Sequence, residues 1–431
     1  MTGLATRSTA RQRCEEALAR AAEPSAHATI LTVTTQRARA EAARSDERRR
    51  RGAVLGPLDG VPIVWKDLFD VVGTTTTRGS AVFAGEPAAT SDSALVRRAR
   101  ALGMVTIGKT NLSELAFSGL GVNLRFGTPA NPLDEAVVPG GSSSGSAVAV
   151  ATGIVPVAVG TDTSGSVRVP AAFTGCVGFR ASQERYGRND FRALSATLDS
   201  VGILARSVAD IAALDRSLTA WSHVASTTIR VIVPAGEWIQ DCTPGVRAAF
   251  EFGIRTLRAG GVDIRTAPLA SLQRAQELID KCGTIVGADA FAAYGDLAAD
   301  PTGIEAATRR RLLSNSTAGR TIGPLRAAMA GLRHRLRTEL AGAILACPTV
   351  RHEPPRIIDV LGSPERYDAA NASTLRTTMV LSYLGTCGIS LPIAGAAGAA
   401  PSGLLLSAPE GHDHRLLAAA STVERMLRPQ A

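Results

Sequence analysis

Gly160-Thr161-Asp162-Thr163-Ser164-Gly165-Ser166-Val167-Arg168-Val169-Pro170 sets a Gly/Ser-rich turn directly behind an apolar run, Val155 to Val159. A second cluster, Gly140-Gly141-Ser142-Ser143-Ser144-Gly145-Ser146, runs straight into Ala147–Ala151. Gly/Ser linkers are flexible coils, but a linker does not press its flank into a core segment. Both stretches are therefore read as built loops. Glycine lets backbone approach closely and present N–H groups to an anion. Serine becomes a nucleophile once a base takes its proton.

Working outward, the base has a candidate. Only three of the 47 Lys and Arg residues are lysine, and one of them, Lys66, ends the apolar run Gly60-Val61-Pro62-Ile63-Val64-Trp65-Lys66-Asp67. Arginine serves for surface charge but does not lose its proton, whereas a buried ammonium shifts readily. A lysine inside a hydrophobic strand is thus a candidate proton-handling group. The blander alternative is a stem packed on apolar surface with its head in water. The same scarcity also flags Lys109 and Lys281.

Composition narrows the classes. The chain has 431 residues, 45% hydrophobic and 20% charged, with 42 Gly and 22 Pro, which suits a large globular fold. Net charge is +9, but the arginines are scattered apart from Arg48–Arg51, and only 10 Phe, 4 Tyr and 3 Trp are present. No aromatic series accompanies the basic residues, so no direct nucleic-acid contact is expected. The Arg48–Arg51 run reads as a solvated helix end. The six cysteines are widely spaced without C-x-x-C, which argues against zinc or a disulfide framework and suits a reducing compartment. Met1 to Arg13 is polar, without the apolar core of a secretory signal. The longest apolar stretch, Ala147 to Gly160, is too short and broken to span a bilayer. A cytoplasmic protein without a membrane role is expected.

Residues 8–51 read as two helices, Val61–Trp65 and Met104–Gly108 as strands, and 92–102 as a capped amphipathic helix between them. That alternation suggests an α/β layer architecture. Gly145–Gly153 reads as a tightly packed helix and Val155–Gly160 as a strand. Residues 388–393 and 403–407 read as late strands, and Leu416–Leu427 as a closing helix. Residues 222–345 carry Arg/Ala/Leu helical patterns and no sharp motif. Gly141-Ser142-Ser143-Ser144-Gly145 also satisfies G-x-S-x-G around Ser143. That elbow needs a strand before it and an acid and a His after it. The stretch before it, Val137-Val138-Pro139-Gly140, is broken by proline, and the late candidates, Asp413 with His412 or His414, are adjacent in sequence.

Taken together, Lys66 and the two serine loops resemble the amidase signature family of serine hydrolases. Further matching stretches are Gly108-Lys109-Thr110-Asn111-Leu112-Ser113-Glu114, Gly127-Thr128-Pro129-Ala130-Asn131-Pro132, Leu198-Asp199-Ser200-Val201-Gly202, Ala205 to Asp210 and Gly403-Leu404-Leu405-Leu406. The likeness covers nearly the whole chain and is densest over 57–212. It implies one amidase signature domain over 1–431, with a catalytic core at 57–212 and a substrate-shaping region at 222–345. The implied fold is α/β, a large mixed β-sheet sandwiched between layers of α-helices.

The resemblance also implies roles. Ser166 is the nucleophile, Ser142 a bridging serine in a cis-peptide context, and Lys66 the base. Backbone N–H groups of Thr163, Ser164, Gly165 and Ser166 form the oxyanion hole. Ala116, Ser118 and Ser142 line the substrate pocket. The implied reaction is hydrolysis of a small, non-peptide, linear amide through an acyl-enzyme, with no metal or organic cofactor. Many relatives are homodimers. The alternative within the family is the glutaminase component of a tRNA-dependent amidotransferase complex. Ser164 stands where many relatives carry Gly, and Arg180-Ala181-Ser182 where they carry Lys-Pro-Thr. Lys109, Asp162, Arg168 and Cys176 are read as structural support.

Overall fold

The computed structural model describes residues 8–187, 191–219, 229–393 and 402–428. Its strands in chain order are β1 Ile30–Val33, β2 Pro62–Lys66, β3 Val105–Thr110, β4 Val157–Thr161, β5 Val177–Arg180, β6 Val201–Ala205, β7 Arg230–Pro234, β8 Asp263–Ala267, β9 Ile344–Pro348, β10 Thr386–Ile393 and β11 Ser402–Pro409. They form one eleven-stranded sheet in the order β1-β3-β2-β4-β6-β5-β10-β11-β9-β7-β8. β3, β2 and β4 run parallel, as do β9, β7 and β8 at the far side. The strands between β4 and β9 pair antiparallel.

Strands covered on both faces read as near-continuous apolar runs, with the period of two deciding which side each residue serves. Ile63 and Trp65, Val157 and Val159, and Ile203 and Ala205 enter one core, while Val64, Ala158 and Leu204 between them enter another. Helices Ala94–Ala101, Val208–Thr219, Pro244–Ala259 and Asp413–Leu427 close the first core. Helices Ala10–Ala21, Thr35–Arg50 and Ser144–Ala151 close the second. Across the far strands, Ile232, Leu345 and Leu405 meet helices Ala270–Cys282, Gly323–Leu340 and Pro364–Tyr383. The sheet is therefore sandwiched between helix layers, as expected.

Two expectations need correction. Residues 8–51 are not two helices alone: the β-branched Ile30–Val33 intervenes as an edge strand, antiparallel to β3. Residues 229–345 are not helices alone either, since β7 and β8 extend the sheet and β9 begins at Ile344. Residues 222–228 of the substrate-shaping region, and residues 1–7 of the polar N-terminus, lie outside the described residues.

Candidate active site

β2 and β4 are parallel neighbours, paired Trp65 with Val159, so their carboxyl ends meet at one edge, where open α/β sheets bind ligands. Lys66 ends β2 and Thr161 ends β4. Lys66 is wholly buried, with Nζ 2.7 Å from Ser142 Oγ and 2.9 Å from Thr161 Oγ1. Its partners are hydroxyls, and among the described residues no carboxylate is salt-bridged to it. Burial pulls its ammonium from 10.5 down to about 7, against the opposing pull of Asp199 and Asp162. Thr161 belongs to the Gly160–Pro170 motif, and nothing in that sequence marks it as a partner of Lys66.

Ser142 follows a cis Gly141–Ser142 peptide. Gly141 N–H donates to Gly119 O at 2.7 Å, and Ser142 O accepts from Ser113 N–H at 3.2 Å. Ser143 N–H donates to Ser166 O at 3.0 Å, which holds the two serine loops side by side. Ser143, the centre of the G-x-S-x-G reading, is wholly buried with its hydroxyl on Thr161 O at 3.2 Å. It precedes helix Ser144–Ala151, in which Ser144 to Val150 are all buried.

Asp162 organises the loop that carries Ser166. Its buried carboxylate accepts from the N–H groups of Gly165 (2.8 Å), Val167 (3.2 Å) and Arg168 (3.3 Å), and from Arg168 Nε and a terminal guanidinium nitrogen (2.9 and 2.8 Å). Burial alone would raise this carboxyl, but the charges of Arg168 and Arg180 and these hydrogen bonds hold it at about 2. The expected structural pairing of Asp162 with Arg168 is therefore present. Arg180, one of the departures from the family pattern, spans Thr386 O and Leu198 O at 2.5 and 3.0 Å.

Of the four expected oxyanion donors, Gly165 N–H is already engaged by Asp162. The N–H groups of Thr163, Ser164 and Ser166 have no protein acceptor among the described residues. Ser166 itself is 4% exposed. Gly165 has φ +136°, and a Cβ there would collide with the Thr378 hydroxyl, so glycine is required. Thr378 Oγ1 donates to Ser164 O at 2.5 Å and Ser382 Oγ accepts from Arg168 at 2.7 Å, so helix Pro364–Tyr383 braces the loop from behind. Asp199 accepts from Thr163 Oγ1 at 2.6 Å and from Leu194 and Ser195 N–H at 2.8 and 3.1 Å. Burial raises its carboxyl to about 6, above the ordinary carboxylate range. Asp199 belongs to the Leu198–Gly202 stretch, and no local sequence signal ties it or helix Pro364–Tyr383 to this loop.

The segment Ser113–Gly121 forms the wall beside Ser142. Leu115 and Ala116 have φ of +54° and +59°, and Ala116 and Ser118 are both buried. Ser118 Oγ donates to Asn371 Oδ1 at 3.1 Å and accepts from Tyr367 OH at 2.9 Å. Lys109 is buried and points away from the serine loops, with Nζ 2.5 Å from Asp67 Oδ1, 2.7 Å from Thr76 Oγ1 and 3.0 Å from Thr75 O. All six cysteines are free and buried, and burial pushes the Cys176 thiol up to about 12. Among the described residues no three His, Cys, Asp or Glu side chains gather as a metal site, and no helix is long and apolar enough to cross a membrane.

The mixed sheet between helix layers, with serine loops gathered at the ends of β2 and β4, is the architecture of amidase-signature enzymes. A solved structure of an amidase superposes with TM-score 0.86 at 32% identity, covering 98% of this chain and 97% of that one. The chain belongs to this family: the Amidase family model matches residues 13–417. It is 35% identical over 407 residues to 2-amino-5-chloromuconic acid deaminase from Comamonas testosteroni, covering 91% of this chain and 87% of the relative. It is 41% identical over 227 residues to the A component of glutamyl-tRNA(Gln) amidotransferase from Cupriavidus necator, covering 52% of this chain and 45% of that relative. Members of the family hydrolyse carbon–nitrogen bonds, and another relative, 35% identical over 292 residues (63% of this chain, 64% of the relative), is a 1-carboxybiuret hydrolase component from Pseudomonas sp..

Proposed function

We propose that this chain hydrolyses a small, linear, non-peptide amide through an acyl-enzyme on Ser166. Ser166 Oγ attacks the amide carbon, its proton passes to Ser142 Oγ, and the Ser142 proton passes to neutral Lys66. The C–N bond then breaks as the relay runs backwards and delivers the proton to the departing nitrogen. Water attacks the acyl ester by the same relay, releasing the acid and restoring Ser166. The N–H groups of Thr163, Ser164 and Ser166 hold the developing oxyanion, and losing one such donor costs about 100- to 1000-fold in turnover.

The observation that carries this reading is Lys66: wholly buried, brought to about 7, and 2.7 Å from Ser142 Oγ. A base with a pKa near the working pH is what proton transfer at neutrality needs. The test is alanine at Ser166, Ser142 and Lys66 singly, with acid-quenched mass spectrometry to catch the acyl-enzyme and fluorophosphonate labelling of Ser166. Full amidase activity in Ser166→Ala refutes the assignment.

The match to the amidotransferase component favours a second reading, a glutaminase that works within a complex. The matched stretch spans about half the length of that relative. Partner proteins that copurify, and glutaminase activity that depends on them, would select it. Activity of the isolated chain on simple amides selects the first reading.

A further inference from the structure

The amino ends of β2 and β4 make a second edge of the sheet, opposite the one that holds Lys66. A cavity of about 190 Å³ opens there. Its floor is apolar and buried, made by Ala17, Val61, Pro62 and Ile154. Its rim carries three guanidiniums, Arg13, Arg20 and Arg206, and among the described residues one acid, Glu16.

The fold draws these arginines together from distant stretches. β6 runs antiparallel to β4, with Ala205 paired to Val157. Arg206 therefore leaves β6 beside Pro156, at the amino end of β4. Arg13 and Arg20 stand two turns apart on helix Ala10–Ala21 and so share a face. Arg13 Nε donates to Gly60 O at 3.1 Å, and Arg20 donates to Gly153 O at 2.7 Å. A Cβ built on Gly153 would lie 2.7 Å from a terminal nitrogen of Arg20 and 3.8 Å from one of Arg206. Two guanidiniums thus converge on one spot at the mouth.

Arg20 has a structural reason to be there. It binds a carbonyl just past helix Ser144–Ala151, and cations favour helix C-termini. Arg206 has no such reason: among the described residues it makes no side-chain hydrogen bond or salt bridge. Arg13 is short of negative charge, since burial and Arg49 lower its pKa against the weaker pull of Asp46, Asp59 and Glu16. The stretch Met1–Arg7, which leads into Ser8 on the lining, holds no Asp or Glu. Crowded like charges are relieved by a bound anion. Guanidinium forks match a carboxylate in plane, and the floor offers no polar side chain, which suits an apolar body.

We propose that this cavity is a second binding site, separate from the serine loops, for a small organic carboxylate with an apolar body. Pro62 lines it and Lys66 ends the same strand, about 13 Å away at ~3.3 Å per residue.

Calorimetric titration with benzoate tests it and needs no turnover. The comparison uses the wild type, Arg20→Gln, Arg206→Gln and the double variant; both arginines are exposed, so the fold should tolerate their loss. One benzoate per chain is expected, bound more weakly as salt rises. Each single variant should bind about fivefold more weakly, and the double variant about 25-fold. Benzyl alcohol, the same ring without the charge, should also bind about 25-fold more weakly to the wild type. Inorganic phosphate, a charged head without the body, should bind about tenfold more weakly than benzoate. Equal benzoate affinity in the wild type and the double variant would place the ligand elsewhere, at the serine loops for instance, and overturn the proposal. So would benzyl alcohol or phosphate binding as tightly as benzoate, or no heat with benzoate at millimolar concentration.

Discussion

Lys66 and Lys109 are both wholly buried, at the carboxyl ends of neighbouring parallel strands, yet their surroundings give them opposite chemistry. The register pairs Trp65 with Lys109 and Lys66 with Thr110. Alternation therefore sends the two lysines to opposite faces of the sheet. Lys109 meets the Asp67 carboxylate, and although burial still lowers the ammonium and raises the carboxyl, each charge opposes that shift in the other. Lys66 meets two hydroxyls and no ion-pair partner, and burial takes it down to about 7. Depth alone does not suit a lysine to the proposed role of base; the absence of an ion-paired carboxylate is what distinguishes Lys66.

Exchanging each lysine for methionine should separate the roles. Lys66→Met is expected to lower kcat/KM by ~10⁴-fold, the upper range for loss of a general base. In the wild type, kcat/KM should climb with pH through about 7 if the neutral amine of Lys66 acts as proposed. A flat profile between pH 6 and 8 would break the comparison.

The same residue leaves a mark on stability. The folded value of about 7 lies below the unfolded 10.5, so between those values the unfolded chain binds the extra proton. Stability from this site is complete above 10.5 and is lost as pH falls to about 7. The wild-type stability measured against Lys66→Met should therefore fall by about 1.4 kcal/mol per pH unit across that window. Chemical denaturation of both proteins at pH 8 and 9 checks it.

Lys109→Met should act on folding instead. Removing one partner of a buried ion pair strands the other, at a cost of roughly 3–5 kcal/mol. Adding Asp67→Asn should recover most of that loss, since no charge is then left buried alone. Urea unfolding of the single and double variants decides it. If the single variant is as stable as wild type, Lys109 is not the strut described.

Much of this contrast was legible before any coordinates. Lysine scarcity isolated Lys66, and the two serine loops supplied groups for it to serve. The period of two already separates Lys66 from Asp67 across the sheet, so the adjacent carboxylate was never its partner. Long-range contacts left no such trace. Thr378 and Ser382 reach the Ser164–Arg168 loop from more than 200 residues away. The contact of Arg311 with Phe117 likewise exists only once 117 and 311 are folded together. Strands β7 and β8 were missed because their neighbouring Arg/Ala/Leu helices dominate the local pattern and β8 is largely exposed.

The smallest expected effect comes from Asp199, which lies between the two halves of the site. Its carboxylate orients Thr163 and, when charged, favours protonated Lys66. Asparagine keeps one oxygen acceptor, and the Thr163 hydroxyl, free to rotate, can accept from the new amide. Asp199→Asn should therefore reduce turnover by about tenfold or less, below the ~100-fold minimum for an oxyanion donor removed outright. It should also shift the pH–rate rise to lower pH, because the negative charge holding the Lys66 value up is gone. A shift to higher pH would mean that Lys66 gets its neutrality from something other than burial, and the distinction from Lys109 would have to be redrawn.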